Sequence, residues 1–513
     1  DDLAQLDILT NHYKQLATPP EYDINTYHDM VSNDVNKVRD IIAEMTCDSS
    51  DYFTEKEIRT AIGKLNNGKT ADEYNIKSEI FKNAIDTFTP ILLRLFNACI
   101  QQKCIPSNFK SGIIYSIPKK GKDSEQPENH RGITVTPTIV KILENVMKAR
   151  YNSYLINSQS NLQFGFTQGI STGIASILIN EAMVEAYDLK KPLYVCTLDA
   201  RKAFDTVSHE SLLRKIYLSG LDKGLISLID CMYQDMSSRV KWRGKLGESF
   251  NVLQGTRQGG VISPDLYKIY INDLLERIEL SEFGMYIGDI CIAIPTVADD
   301  VSLLSTSCDD MKIMMTSAND YAIDEKYGLN ANKTNIANLT NLQPHCTSWE
   351  LGNEIISTSD SITHLGLKYS DIKTTSQNIV ECKISLLHRT CYSLLGTGMH
   401  GSNGLNPETS FRIYKIYILP RFLYGLASTV LQAKQIDSLE KEHRGVLRKL
   451  QGLPKYTATC AIYLLLGALP LEGHYHLSQL SLLNSIIHGG NMKIINLCQR
   501  QIAMKDYTSN SWF

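Results

Sequence analysis

Three aspartates at two places in the chain are the residues best suited to chemistry. Asp199 ends an apolar run, and Asp299 and Asp300 stand side by side 100 residues later. Carboxylate oxygens are ligands that Mg²⁺ prefers, and two divalent ions roughly 4 Å apart can stabilise the attacking and leaving oxygens of a phosphoryl transfer. Adjacent aspartates alone more often cap a turn, so the elements that carry them decide between the two interpretations.

Both positions are predicted to lie at the ends of short strands. Residues 193–198, LYVCTL, form a continuous apolar run typical of a strand buried on both faces, and it delivers Asp199 at its end. In residues 297–304, VADDVSLL, a polar pair separates two strand-like pieces, which predicts a hairpin with Asp299 and Asp300 at its tip. Bound cations would offset the repulsion among three such carboxylates.

Helices and one more strand are predicted around these sites. Thr54 and Glu57 form a capping box that begins a helix, and Ser263 is a good N-cap for another, with proline at its first position. Apolar side chains at helical spacing predict helices over 76–103, 138–155 and 435–450. Residues 112–118 are predicted to form a strand and 462–471 a buried helix end. The polar residues 1–50 predict an extended lead-in with some helix.

The charge distribution favours a polyanion as partner, although the whole chain has a net charge of −3. Residues 1–60 carry a net charge of −8, whereas residues 103–150 and 383–455 carry +5 and +7. Two basic segments separated by a less basic middle suggest two walls of a channel for nucleic acid. A solvated surface is the alternative for either segment taken alone.

Three segments in a fixed order resemble the polymerase motifs of reverse transcriptases. Residues 198–207, LDARKAFDTV, resemble motif A (LDxxxAFDxV), residues 255–264, GTRQGGVISP, resemble motif B (GxRQGxxxSP), and residues 297–300, VADD, resemble motif C. Further matches are the two fingers motifs at 117–123 and 129–133, QxGF…ST at 163–172, motif D at 328–334, motif E at 364–367, and the P…LYG thumb element at 419–425. The pattern covers residues 54–490 and is closer to non-LTR (LINE-type) retrotransposon enzymes than to retroviral, telomerase or bacterial intron enzymes.

Two positions depart from that family pattern. Val297 stands where Phe or Tyr is usual, a change expected to tune packing under the hairpin and to leave the metal ligands alone. Gly132 follows Arg131 where proline is usual, a change expected to loosen the fingers loop.

The resemblance implies a metal site and a selective nucleotide site. Asp199, Asp299 and Asp300 would hold two Mg²⁺ ions, for which Mn²⁺ could substitute, with help from the main-chain carbonyl of Ala200. Phe204 would lie beneath the sugar of the incoming nucleotide and exclude a 2′-hydroxyl, with an ordinary core phenylalanine as the alternative.

Further contacts to nucleotide and nucleic acid are implied by the same resemblance. Arg131 offers a planar fork for the triphosphate, and Lys119 offers a point charge. Gln258 and Gly259 belong to a loop that must approach the nucleotide closely, and Lys333 is either a proton donor to pyrophosphate or a surface lysine. Three basic residues of the predicted thumb helix would follow the phosphates of the template–primer duplex: Arg444, Arg448 and Lys449.

The fold that the resemblance implies is α+β, a right hand of fingers, palm and thumb with an N-terminal extension. The expected boundaries are 1–75 for the N-terminal extension and linker, 76–190 for the fingers, 191–372 for the palm with motifs A to E, 373–490 for the helical thumb, and 491–513 for a C-terminal tail.

The implied activity is that of an RNA-directed DNA polymerase of a non-LTR retrotransposon, with an RNA template, a DNA primer or target DNA, and dNTPs. Family resemblance adds target-primed synthesis, an intracellular location with cytoplasmic ribonucleoprotein assembly, and the nucleus as the place of synthesis. No membrane partner is expected, because the apolar stretch at 462–471 is too short to span a bilayer. No oligomeric state is predicted.

Three alternatives remain at this point. A catalytically silent RNA-binding scaffold derived from a reverse transcriptase would tend to lose the metal carboxylates, and all three are present. An RNA-dependent RNA polymerase would need room where Phe204 stands. A cellular reverse transcriptase with a host task would carry the same motifs.

Overall fold

The computed structural model describes residues 2–20, 25–48, 50–340, 342, 348–401, 403–506 and 509–513. The chain divides into two compact units. The first unit consists of Asp1–Ser160, Ala200–Glu276 and Ala318–Leu329, and the second of Asn161–Asp199, Arg277–Ser317 and Asn330–Phe513. Each unit is therefore assembled from three separate stretches of sequence.

The first unit combines helices with a five-stranded sheet. Its sheet has the order His130–Val135, Ile113–Pro118, Ser237–Trp242 and Lys245–Leu246, with Phe250–Asn251 also paired to Ser237–Trp242. Its helices are Asp2–Leu16, Thr26–Glu44, Glu55–Gly63, Ser78–Asn83, Ile85–Gln102, Thr138–Ser158, His209–Leu218 and Lys223–Tyr233, with short 3-10 turns at Ser107–Phe109 and Pro127–Asn129.

The second unit is built on another five-stranded sheet. This sheet has the order Ser357–Thr358, Asn335–Asn338, Tyr194–Leu198, Asp300–Ser305 and Thr296–Val297. Three two-stranded ribbons pair Tyr286–Ile287 with Ile290–Cys291, Glu350–Leu351 with Glu354–Ile355, and Ile362–His364 with Leu367–Tyr369. The helices are Gly173–Asp188, Ile372–Ser393, Pro407–Ile413, Leu419–Leu423, Ala433–Leu450, Thr459–Leu464, Leu471–His488 and Met492–Met504, with a 3-10 turn at Leu395–Thr397 and a π turn at Tyr414–Ile418.

Two helices cross the boundaries between the stretches, Ser263–Leu280 and Cys308–Asp324. The mixture of helices with largely antiparallel sheets is the α+β class that the resemblance implied. None of the helices in the described ranges has both the length and the apolar character that crossing a bilayer requires.

Most predicted elements are present with small shifts in their ends. The capping box is confirmed, since the Thr54 main-chain N–H donates to Glu57 Oε2 over 2.7 Å and the helix Glu55–Gly63 follows. The predicted helix over 76–103 is two helices, because the chain leaves helical geometry at Ala84 (φ −122°, ψ 41°). The strand over 112–118 and the helices over 138–155 and 435–450 are confirmed as Ile113–Pro118, Thr138–Ser158 and Ala433–Leu450.

The lead-in expected over residues 1–50, extended with some helix, is wrong in part, because the segment is mostly helical. The segment forms the helices Asp2–Leu16 and Thr26–Glu44. Leu6, Leu9 and Tyr13 follow helical spacing and are buried in a core with apolar residues of the sheet. The strongly polar composition of the segment concealed this narrow apolar face.

Tyr13 also accounts for the unusual Gly132. A Cβ at Gly132 would lie 2.6 Å from the Tyr13 ring, so the glycine leaves room for the first helix. Gly132 sits in regular register opposite Ser116 in the hairpin, and the expected loosening of the fingers loop is not seen there.

The buried helix end predicted over 462–471 is wrong in part. Ile462 and Leu471 are buried, but Leu464 and Leu465 are 78% and 67% exposed. The helix ends at Leu464 and the chain turns at Gly467, whose φ is +59°, so the apolar run does not continue along one buried face.

Candidate active site

Two adjacent strands of the second unit's sheet bring Asp199 and Asp300 together. Leu198 pairs with Val301 in an antiparallel register, which places Asp199 opposite Asp300 one step further along. Asp300 pairs in turn with Val297 across the next turn. The predicted strand and the predicted hairpin with carboxylates at its tip are both confirmed.

The pKa of the Asp300 carboxyl is raised above its ordinary value. Partial burial raises the pKa of the Asp300 carboxyl to about 6, and the negative charges of Asp299 and then Asp199 add to that rise. Such mutual repulsion is what a divalent cation would relieve. The donor chemistry of these three side chains, hard carboxylate oxygens, therefore fits Mg²⁺.

The carboxylates are not drawn into a compact ligand set. In the part of the chain that the structure describes, no group of three or more His, Cys, Asp or Glu side chains is close enough to hold a metal ion. The Asp199 carboxylate instead pairs with the ammonium of Lys333, with Nζ 3.2 Å from Oδ2. Lys333, predicted from motif D, thus lies beside a predicted metal ligand, and its proton-donor role stays a prediction.

Two further residues of the motif D segment hold Asp199 in place. The Asp199 main-chain N–H donates to Thr334 Oγ1 over 3.3 Å, and the Asn330 N–H donates to the Asp199 carbonyl over 2.8 Å. Neither residue could be assigned a role from the sequence, since a contact across 131 or more residues leaves no local signal.

In the first unit, motif A continues with Ala200, Phe204 and Asp205. Ala200 forms an isolated bridge with Leu329, which fixes the main chain just after Asp199. The half-buried Phe204 ring stacks on Tyr267, with centroids 4.5 Å apart and planes 24° apart. A partly exposed face leaves both interpretations of Phe204 open, a selective surface under a sugar or a packing residue.

The side chain of Gln258 is anchored by Asp205. Gln258 Nε2 donates to both carboxylate oxygens of Asp205, over 2.9 and 3.0 Å. Burial raises the pKa of Asp205 to about 6, opposed first by the positive charge of Lys202, then by the Gln258 hydrogen bond and by the charges of Lys119 and Arg131. Asp205, a residue without a predicted role, thus holds the side chain of Gln258, and the charges of Lys119 and Arg131 act on the same carboxylate.

The loop that carries Gln258 and Gly259 runs against the hairpin formed by the strands Ile113–Pro118 and His130–Val135. The Thr134 N–H donates to the Gln258 carbonyl over 2.7 Å. Gly259 has a φ of +121°, and a Cβ there would lie 2.5 Å from the Thr134 carbonyl oxygen, so only glycine fits. Nearby Arg257 is buried and donates to main-chain carbonyls of Phe109 and Lys110, which makes it a structural residue.

Lys119 and Arg131 lie near the end of that hairpin where its two strands are connected. Arg131 pairs with Ile117 in the strand register and is exposed. Lys119 is half-buried, and its Nζ donates to the Glu128 carbonyl over 3.2 Å. Arg131 is therefore the more accessible of the two cations for a triphosphate.

The three predicted thumb residues lie on the helix Ala433–Leu450 of the second unit. This helix buries Leu439, Val446, Leu447 and Leu450 on one face. Arg444 and Arg448 are half-buried and Lys449 is exposed. Arg448 Nη1 donates to the Lys455 carbonyl over 3.1 Å, so that guanidinium is partly engaged within the protein.

Comparison with known proteins shows what the middle of the chain is similar to. The sequence model of the family described as reverse transcriptase (RNA-dependent DNA polymerase) matches residues 117–369. Residues 117–369 are a reverse-transcriptase domain. All three aspartates and the predicted nucleotide-binding residues fall inside this range, whereas the helix Ala433–Leu450 and the first helices lie outside it.

Similar proteins come from mobile elements of insects. The chain is 24% identical to the RNA-directed DNA polymerase from mobile element jockey of Drosophila funebris, over 80% of this chain and 45% of that protein. It is 22% identical to the jockey protein of Drosophila melanogaster, over 89% of this chain and 50% of that protein. It is 23% identical to the Pol polyprotein from type-1 retrotransposable element R2 of Popillia japonica, over 68% of this chain and 48% of that protein.

These matches confirm the resemblance to non-LTR retrotransposon reverse transcriptases. The chain spans about half the length of these curated relatives.

Proposed function

We propose that this chain is the RNA-directed DNA polymerase of a non-LTR retrotransposon, which extends a primer 3′-hydroxyl with dNTPs on an RNA template. The observation that carries the proposal is the placement of Asp199 opposite Asp300 on adjacent strands, with Asp299 beside it, in the order of motifs A and C. A turn-capping role would not need a second aspartate from a separate strand.

Asp199, Asp299 and Asp300 would hold two Mg²⁺ ions, with Mn²⁺ as a substitute and the Ala200 carbonyl as an additional ligand. The bound ions would supply stabilisation of the charge on the attacking and leaving oxygens. Lys333 would leave Asp199 when a cation takes over its neutralisation, because one carboxylate oxygen cannot serve both equally well. The freed ammonium would then be available to pyrophosphate.

The remaining residues would bind and select the nucleotide and the nucleic acid. Arg131 and Lys119 would contact the triphosphate. Gln258, held by the Asp205 carboxylate, would form with Gly259 a rigid surface against the nucleotide. Phe204 would exclude a 2′-hydroxyl. Contacts to the duplex would come from the basic thumb helix and would address backbone and shape more than base edges, as expected for a near A-form hybrid.

The right-hand arrangement belongs to this proposal. Fingers would be 76–190, palm 191–372 and thumb 373–490, with the helices of 1–75 as an N-terminal extension and 491–513 as a tail. Synthesis would be target-primed, with an RNA template and a DNA primer or target DNA. It would take place in the nucleus after assembly with RNA in the cytoplasm.

The test is primer extension on an RNA template with dNTPs and Mg²⁺, comparing the parent with Asp299→Asn. The parent is expected to make labelled DNA, and Asp299→Asn to lose activity by about a thousandfold, since each ligand of a metal site is needed. Asp360→Asn, an exposed aspartate of the same unit, is the matched control and should be as active as the parent.

The catalytically silent scaffold is the second candidate. It would bind the RNA–DNA hybrid in a salt-sensitive manner and yield no product with any divalent ion. Product from rNTPs instead of dNTPs would favour an RNA polymerase.

A further inference from the structure

The residue just before the Asp299–Asp300 pair has a strained main chain. Ala298 has a φ of +58°, in the left-handed region that alanine seldom occupies. Such a conformation persists only when its surroundings fix it, and in other proteins it often occurs at functional sites. The residues that hold Ala298 therefore set the direction in which both aspartates leave the hairpin.

Gln163 contacts both main-chain polar groups of Ala298. Its Oε1 accepts from the Ala298 N–H over 2.9 Å and from the Gly165 N–H over 2.8 Å, and its Nε2 donates to the Ala298 carbonyl over 3.4 Å. The Gln163 side chain is only 1% exposed, so these bonds form away from competing water. One primary amide thus bonds to both the main-chain N–H and the main-chain carbonyl of Ala298.

The main chain around Gln163 is itself fixed to the hairpin. Thr296 N–H donates to the Leu162 carbonyl over 2.8 Å, and Phe164 N–H donates to the Thr296 carbonyl over 2.9 Å. Residue 163 is paired in parallel with Thr296. The segment 162–164 is therefore fixed beside Thr296 by an isolated parallel bridge and two main-chain hydrogen bonds.

Gly165 completes this contact. A Cβ at Gly165 would overlap the main-chain nitrogen of Ala298, so only glycine allows the two backbones to approach this closely. The close approach brings the Gln163 amide within hydrogen-bonding distance of Ala298.

We propose that Gln163 is a positioning residue that fixes Ala298 and thereby aims Asp299 and Asp300 as metal ligands. The inference rests on the proposed function for its catalytic consequence, but the contact itself can be tested without it. A glutamine suits this place because it offers an acceptor and a donor together and adds no negative charge beside three carboxylates.

The first experiment measures amide hydrogen exchange of the metal-free protein in peptides covering 296–300. Gln163→Met keeps the volume and loses all three hydrogen bonds, so the Ala298 N–H should exchange about tenfold faster or more. Gln163→Glu keeps the acceptor and should retain most of the protection. Gln501→Met removes another fully buried glutamine of the same unit, bonded to Glu181, and should leave exchange at 296–300 unchanged.

Unchanged exchange of Ala298 in Gln163→Met would overturn the proposed contact. Should Gln163→Met fail to fold, Gln163→Glu decides the matter: exchange as fast as in an unprotected amide would overturn the inference.

The second experiment is steady-state primer extension as a function of Mg²⁺ concentration. Gln163→Met should lower kcat by about tenfold to a hundredfold and raise the Mg²⁺ concentration for half activity, as observed when a partner of a metal ligand is removed. The KM for dNTP should change little, because the hydrogen bonds of Gln163 are to the main chain of Ala298 and Gly165 and not to groups proposed to bind the nucleotide. Gln501→Met should match the parent in all three quantities.

The two proposals fail in different ways. A parent protein that makes no product overturns the proposed polymerase and leaves the exchange result standing. An active parent, with Gln163→Met showing faster exchange but unchanged kcat and Mg²⁺ dependence, overturns the positioning role alone.

Discussion

Two buried histidines should make the second unit less stable as the solution becomes acidic. His364 and His443 are 3% and 1% exposed. Burial lowers the pKa of each to about 4, from an ordinary value of 6.5. His443 keeps its low pKa although Leu469 and Glu440 oppose the effect of burial. Both rings are thus neutral in the folded protein at neutral pH.

The sign and size of the effect follow from these values. Between pH 6.5 and 4 the unfolded chain binds more protons than the folded one, so stability is full above pH 6.5 and is lost as pH falls toward 4. At pH 5 each histidine should cost about 2 kcal/mol, and the pair about 4 kcal/mol. That is a large share of the roughly 5–15 kcal/mol by which domains are stable.

The assay is urea unfolding followed by circular dichroism at pH 7 and pH 5. The parent should lose free energy of unfolding between the two values, and His443→Gln should lose about 2 kcal/mol less over the same interval, whatever its stability at pH 7. His476→Gln, which changes an exposed histidine, is the control and should follow the parent. A pH dependence in His443→Gln as steep as in the parent would refute the reasoning, because burial of the ring would then not be its source.

Three other substitutions test separate parts of the structure. Lys215→Met should lower the free energy of unfolding in urea by about 3–5 kcal/mol, because the Lys215 ammonium lies 2.9 Å from the buried Glu325 carboxylate. Adding Glu325→Gln should recover part of that free energy, and no recovery would contradict an origin in the ion pair. Phe204→Ala should raise rNTP incorporation relative to dNTP by about tenfold or more in primer extension, and unchanged selectivity would leave Phe204 as a packing residue. Gly425→Ala should lower the free energy of unfolding by about 1–3 kcal/mol, because the φ of Gly425 is +80° and a Cβ would overlap Leu367. Adding Leu367→Ala should restore part of the lost stability, and full stability of Gly425→Ala alone would contradict this packing.

The sequence predicted the elements whose signals are local. The apolar run before Asp199 and the polar pair at Asp299 and Asp300 identified a strand and a hairpin, because burial on two faces and a polar tip each leave a compact pattern. The capping box at Thr54 worked for the same reason, since both partners lie within one turn.

Features that depend on contacts across the chain could not be predicted in this way. Gln163 bonds to Ala298, 135 residues away, and no property of either local segment predicts the contact. The role of Asp205 as an anchor for Gln258 was invisible for the same reason, although both residues stand in recognised motifs. Tyr13 was missed because a narrow apolar face was hidden in an acidic, polar segment.

The central strand Tyr194–Leu198 has a consequence for biosynthesis. Its two neighbours in the sheet, Asp300–Ser305 and Asn335–Asn338, are made more than 100 residues later. At roughly 5–20 residues per second, the ribosome would leave this apolar strand without partners for on the order of 5–20 s. An unpaired strand of this composition is a template for aggregation. The order in which the sheet's strands are synthesised therefore exposes the nascent chain to aggregation until the later strands emerge.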